Sequence, residues 1–222
     1  MKYKAVIYDM DGLLIDSMIH WMHSDDRFYK PRGVTLTPDL IKFLTGKSLR
    51  ENMTWLKEEY KLEESVEELI VERARTTDNI YTDLTTDMPG ATRLIKRLKR
   101  EGFKQAIASG SMYERIKLVV QRFGWDIYLD KLISADHVQD KGKPDPGIFL
   151  HAAKQLDIHP ADCIVFEDAE NGVVAAKRAG MTCIAALDKR WSFGDFSQAD
   201  LIVESLEDKR IFDFLELSYG QN

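Results

Sequence analysis

Lys4-Ala5-Val6-Ile7-Tyr8-Asp9-Met10-Asp11-Gly12 decides how the rest of the chain is read. Between Lys4 and Asp9 nothing polar interrupts the run. A stretch this short and this uniformly apolar predicts a strand covered on both faces, because a half-covered strand would alternate. Gly12 then marks a loop. Two carboxylates, Asp9 and Asp11, therefore stand just past the end of a buried strand.

Working outward, the character changes after Asp16. As far as about Leu84, apolar residues return at helical spacing among dense charges, as in Leu49-Arg50-Glu51-Asn52-Met53-Thr54-Trp55-Leu56. Ser65, with Glu68 three residues on, predicts a helix start closed by a capping box. No strand is predicted in this stretch. Beyond Asp87-Met88-Pro89-Gly90 the pattern alternates. Helices are predicted over residues 89 to 101, 111 to 123, 146 to 156 and 169 to 179. Strands are predicted over residues 103 to 108, 132 to 134, 162 to 167, 182 to 186 and 201 to 203. Such alternation argues for an α/β fold, a Rossmann-like parallel sheet with helices on both faces. The helical stretch is then an insertion. The expected division is a discontinuous α/β core domain, residues 1–15 and 88–222, and an all-helical cap domain, residues 16–87.

Parallel sheets bind ligands beyond the carboxyl ends of their strands. The predicted strand ends carry a telling set of residues: Asp9 and Asp11 after the first, Ser109-Gly110-Ser111 after the second, Lys143-Pro144 beyond the third, and Glu167-Asp168 at the fourth. Clustered carboxylates repel one another unless a cation intervenes. Four of them suit a hard divalent ion with oxygen ligands, and Mg2+ fits best beside a phosphate. Asp9, Asp11, Glu167 and Asp168 are the candidate metal ligands. Asp9 is the candidate nucleophile and Asp11 the candidate acid–base. Ser109 and Lys143 are placed to hold a phosphoryl group, and Ser111 to make a further phosphate or substrate contact.

Those motifs resemble the haloacid dehalogenase superfamily over nearly the whole chain. Asp9-Met10-Asp11-Gly12-Leu13-Leu14-Ile15-Asp16-Ser17 is similar to its first motif, Ser109 to the second, Lys143 in Lys143-Pro144-Asp145-Pro146 to the third, and Glu167-Asp168-Ala169-Glu170-Asn171-Gly172 to the fourth. The resemblance is closest to the branch of beta-phosphoglucomutase and the sugar-phosphate phosphatases. It implies an aspartyl-phosphate at Asp9, acid–base work and a backbone metal contact at Asp11, metal binding at Asp168 and Glu167, and phosphoryl binding at Ser109 and Lys143. Asp11 argues against dehalogenation, whose members lack that second aspartate. Thr45-Gly46-Lys47-Ser48-Leu49-Arg50-Glu51 resembles the substrate-facing loop of the cap, which makes Lys47 and Arg50 candidate substrate contacts, with His20 a third. Beta-phosphoglucomutases carry a cap histidine where Trp21 stands here, one position after His20. That departure favours a phosphatase of small phosphomonoesters over a phosphohexose mutase, the alternative. A non-catalytic binding protein on the same fold is a third reading, which the presence of both Asp9 and Asp11 opposes.

Composition narrows the partners. The chain has 222 residues, and its 31 basic against 37 acidic residues leave a net charge of -6. That balance lacks the long-range pull toward phosphate backbones on which nucleic-acid binders rely. No run is long and apolar enough to span a bilayer, and the N-terminal residues lack the pattern of a signal peptide. The expectation is a cytoplasmic protein, a monomer or weak homodimer, acting on a small phosphorylated metabolite without nucleic acid or membrane. Cys163 and Cys183 fall in predicted buried strands and are expected to be reduced core thiols.

Overall fold

The computed structural model describes residues 2–44, 49–138 and 142–218. The chain divides into two compact units, one made of Met1–Asp16 and Thr86–Asn222, the other of Ser17–Thr85.

The larger unit is a six-stranded sheet. Its strands are β1 (Ala5–Tyr8), β2 (Lys104–Ser109), β3 (Lys131–Ser134), β4 (Cys163–Glu167), β5 (Thr182–Ala186) and β6 (Leu201–Val203). They lie in the order β3-β2-β1-β4-β5-β6, and every neighbouring pair is parallel. All four residues of β1 and all five of β4 are buried. That explains why both read as unbroken apolar runs: they are the central strands, covered above and below. Ala5, Ile7, Ala106, Ala108, Cys163 and Val165 pack on one face with Phe149, Ala152 and Ala153 of a helix over Gly147–Leu156 and with Val173 and Ala176 of another over Glu170–Arg178. Alternate residues point the other way. There the Tyr8 hydroxyl donates to Gln105 Oε1 at 2.5 Å, and Gln105 Nε2 donates to the carbonyls of Ile95 and Tyr128 at 3.0 and 3.2 Å. Ile95 belongs to a helix over Ala91–Arg100, so that face is helix-covered too. Cys163 and Cys183 are free and buried on the adjacent strands β4 and β5, and burial pushes both thiols up.

The smaller unit contains α1 (Ser17–Tyr29), α2 (Pro38–Leu44), α3 (Leu49–Tyr60) and α4 (Val66–Asn79), with a π-helical turn at Ile80–Leu84. No strand occurs in it among the described residues. Ser65 caps α4 as its sequence predicts: Glu68 N–H donates to Ser65 Oγ at 3.2 Å, and Ser65 N–H donates to Glu68 Oε2 at 2.7 Å. Phe28, Met53, Leu56 and Leu69 are fully buried in its core. Burying each contributes about 1.5–3 kcal/mol relative to exposure.

On the core side, the two passes of chain are pinned together. Asp16 N–H donates to Thr86 O at 3.1 Å, Thr86 N–H to Asp16 Oδ1 at 2.9 Å, and Met88 N–H to Leu14 O at 2.8 Å. Helix starts differ from the sequence expectation by one or two residues. Pro89 and Pro146 precede their helices, which begin at Ala91 and Gly147. The Ser109-Gly110-Ser111 turn also runs on two residues further, to a helix over Tyr113–Phe123. No helix among the described residues is long and apolar enough to cross a membrane.

Candidate active site

The carboxyl ends of β1, β2 and β4 carry the candidate groups. Asp9 is the first residue past β1, held by its N–H donating to Phe166 O of β4 at 3.0 Å. Ser109 closes β2, in register with Ser134 of β3. Glu167 closes β4, and Asp168 comes next in the chain. Asp9, Ser109, Glu167 and Asp168 are all buried.

The structure brings two groups of these residues together. In the first, the Lys143 ammonium sits between two acids, donating to Asp9 Oδ1 and to Glu167 Oε1, each at 2.5 Å. Glu167 Oε2 accepts the backbone N–H groups of Asp168 and Ala169 at 3.0 and 3.1 Å. Glu167 is thus engaged through both oxygens, whereas Asp9 Oδ2 accepts no hydrogen bond among the described residues. In the second group, Ser111 Oγ donates to Asp11 Oδ2 at 2.8 Å, and Ser109 Oγ lies 3.4 Å from the same oxygen. Ser111 N–H donates back to Ser109 Oγ at 3.0 Å. Ser111, expected to face a phosphate or substrate, is therefore tied to Asp11. Only the Ser-Gly-Ser spacing hinted at this, since a hydroxyl ahead of a helix also reads as a cap.

The electrostatics arise from three acids, Asp9, Glu167 and Asp168, sharing one ammonium. Burial pushes the Asp9 carboxyl up to about 7, with Lys143 opposing the shift and Glu167 adding to it. Asp168 is held well above the ordinary carboxylate range, by burial first and then by repulsion from Glu167 and Asp9. Burial works against the Lys143 charge, yet attraction to Asp9 and Glu167 prevails and raises its pKa. The Asp168 carboxyl group accepts no hydrogen bond among the described residues, and the attraction of Lys143 only partly offsets its burial. A buried acid whose charge is only partly offset, in an all-oxygen donor set, is the chemistry of a hard cation site. No three acid or histidine side chains surround a common point among the described residues. Charge, burial and donor type, rather than a ready-made cage, are what fit a metal here.

The candidates on the helical unit stand apart from these groups in the chain. Arg50, at the start of α3, is exposed and donates to Glu67 Oε1 at 2.7 Å. His20 is half-buried on α1. Its neighbour Trp21 packs edge-on against Tyr81, beneath the Arg73 guanidinium. Lys47 lies outside the described residues.

A parallel sheet that gathers acids, hydroxyls and a lysine at its strand ends defines an enzyme of the α/β class. The chain belongs to the haloacid dehalogenase-like hydrolase family, whose model matches residues 3–180. It is 30% identical over 178 residues to the phosphorylated carbohydrates phosphatase of Thermotoga maritima, covering 80% of this chain and 82% of that protein. It is 31% identical over 212 residues to the beta-phosphoglucomutase of Bacillus subtilis, covering 92% and 91%. The crystal structure of CbbY from Rhodobacter sphaeroides in complex with phosphate has the same fold, with a TM-score of 0.76 at 22% identity over 93% of this chain and 96% of that one.

Proposed function

We propose that this chain is a Mg2+-dependent phosphatase of small phosphomonoesters, sugar phosphates first among them, working through a phosphoenzyme at Asp9. One observation carries the reading. Asp9 is buried at a strand end with one carboxylate oxygen held by Lys143 and the other bearing no hydrogen bond. A nucleophile fixed by one oxygen and open at the other is ready to form a bond.

Asp9 Oδ2 attacks phosphorus while the bond from phosphorus to the ester oxygen breaks. Asp11, oriented by Ser111, gives its proton to that leaving oxygen. Water then attacks the phosphorus of the aspartyl-phosphate, Asp11 takes the proton back, and Asp9 departs as the free carboxylate. General acid–base help of this kind contributes roughly 10²–10⁴-fold. Lys143 places a fixed positive charge against the transferring group, and Ser109 offers a hydroxyl to its oxygens. Asp9, Asp11 and Asp168 would hold the metal, with Glu167, whose oxygens already meet Lys143 and two backbone N–H groups, a ligand directly or through water. When bound, Mg2+ offsets the acids so that a dianionic phosphate can approach them.

The names of the relatives support phosphorylated sugars as the substrate class. They leave transfer to water and transfer to sugar both open, and Trp21 favours water. It stands where the mutases carry their cap histidine, and it is committed to packing on Tyr81.

The test is phosphate release from a panel of sugar, nucleotide and small organic phosphomonoesters with Mg2+, with Asp9→Asn as the control. Release concentrated on one class, falling on the order of 10⁴-fold or more in the folded control, is the expected result. Isomerised sugar phosphate without release would make the chain a mutase. Undiminished release by Asp9→Asn would overturn the nucleophile.

A further inference from the structure

We propose that Gly172 is a positioning residue for Lys143, acting through Glu167. The inference rests on the reading of Lys143 as the charge that meets the phosphoryl group.

Gly172 lies in the first turn of the helix over Glu170–Arg178. The Glu167 carboxyl group lies directly against its bare Cα. A Cβ built on Gly172 would fall 1.9 Å from Glu167 Cδ, 1.9 Å from Oε1 and 2.3 Å from Oε2. Contacts under 3.0 Å are essentially never made by real Cβ atoms, so something must shift, and the atoms in the way are the far end of the Glu167 side chain.

The carboxylate is the part that shifts. The helix is locked by Val173, Ala175 and Ala176, each 0% exposed against the sheet. Glu167, in contrast, is held by three hydrogen bonds: Oε1 to Lys143, and Oε2 to the N–H groups of Asp168 and Ala169. Oε1, one of the two atoms closest to that Cβ, is the acceptor of the Lys143 bond, so a displaced carboxyl group disturbs that bond. That ammonium uses two of its three donors on Asp9 and Glu167 and is positioned by the pair. With Glu167 displaced, Lys143 keeps Asp9 and the face of the Phe149 ring but loses the second hydrogen bond that fixes where its charge stands. Glycine is thus needed at position 172 for the space it leaves, at a residue with no chemistry of its own.

The experiment is a double-mutant cycle of Gly172→Ala with Lys143→Met, read as kcat and KM on the best ester of the panel. Gly172→Ala is expected to lower kcat by about 10²-fold, the scale of losing one oriented electrostatic contact, with a smaller change in KM. In the Lys143→Met background the same substitution is expected to cost less than about threefold, because the charge it would misplace is gone. An equal factor in both backgrounds would mean a merely structural role for Gly172 and overturn the proposal, as would a wild-type kcat in Gly172→Ala. If Gly172→Ala does not fold, Glu167→Ala/Gly172→Ala is expected to fold, since the clashing carboxylate is absent; failure there also overturns it. A crystal structure of the metal-free Gly172→Ala protein separates this inference from the assigned function. Glu167 out of reach of Lys143 upholds the positioning even if no ester is turned over, and an unmoved Glu167 refutes it whatever the activity.

Discussion

On the proposed function, Mg2+ and protons compete for the same carboxylates, and the competition has a definite sign. Asp9 titrates at about 7 when folded, against 3.8 as its ordinary value. A group whose folded pKa is raised holds a proton that the unfolded chain has already released. Its contribution to stability is therefore complete below about pH 4 and lost as the pH rises through about 7. Asp168 shifts in the same direction. Lys143 stays charged throughout this window, because its pKa is raised further from it. The metal-free protein should therefore melt lower at pH 8 than this cluster would allow at pH 5. Mg2+ reverses the penalty, since it binds the ionised acids and must displace a proton to do so at low pH. At a concentration one hundred times its dissociation constant at pH 8, Mg2+ stabilises by about 2.7 kcal/mol. For a chain of this size that is a rise in Tm of roughly 5–11 °C. At pH 5 a carboxyl of pKa about 7 is protonated by roughly a hundredfold excess, so the same Mg2+ concentration falls near the apparent dissociation constant. The stabilisation is then about 0.4 kcal/mol, or roughly 1–2 °C. Thermal melts by circular dichroism, at both pH values and at constant ionic strength, with chelator and with Mg2+, measure the difference directly. Comparing plus and minus Mg2+ at each pH cancels the titration of every carboxylate remote from the site. A Mg2+ shift equal at the two pH values, or larger at pH 5, would refute the coupling; no shift at either would refute the metal site.

Single contacts set three further outcomes. Ser111→Ala removes the hydroxyl that orients Asp11. It should lower kcat about tenfold on an alkyl phosphate and less on an aryl phosphate, whose leaving group needs little protonation; equal losses on both would argue against the acid role. Tyr8→Phe leaves the buried Gln105 Oε1 without its donor. The cost should be about 1–3 kcal/mol, with Tm falling by roughly 2–4 °C for each of these, and an unchanged Tm would show that the pair contributes nothing. Arg50→Ala should change preference among substrates more than it changes hydrolysis of a minimal aryl phosphate, and a uniform loss on every substrate would count against a specificity role.

The sheet and the positions of the candidate residues at its edge were legible for one reason, and the contacts among them were hidden for another. β1 and β4 are buried on both faces, so their composition carries the strand directly. Catalytic residue types placed just past such strands are readable without knowing a single contact, because the parallel sheet brings all its carboxyl ends to one edge. Which side chain meets which is a different question. Lys143 finds Asp9 across 134 residues and Glu167 across 24, and Ser111 finds Asp11 across 100. No local pattern encodes those distances, which is why Ser111 reads as a substrate contact in the sequence and sits on an acid in the structure. Gly172 belongs to the fourth motif, yet its significance is a volume left empty beside Glu167, and an absent atom leaves no mark in composition or period. The helical unit is harder still. On a helix one residue is about 100° of rotation, so His20 and Trp21 point to different surroundings although they are neighbours in sequence. Trp21 packs edge-on against Tyr81 within its own unit. A strand end tolerates no such ambiguity, because its direction is set by two hydrogen-bonded neighbours. Substrate-facing residues on helices therefore require measurement, whereas the place of an acid at the end of a central strand can be read from the chain alone.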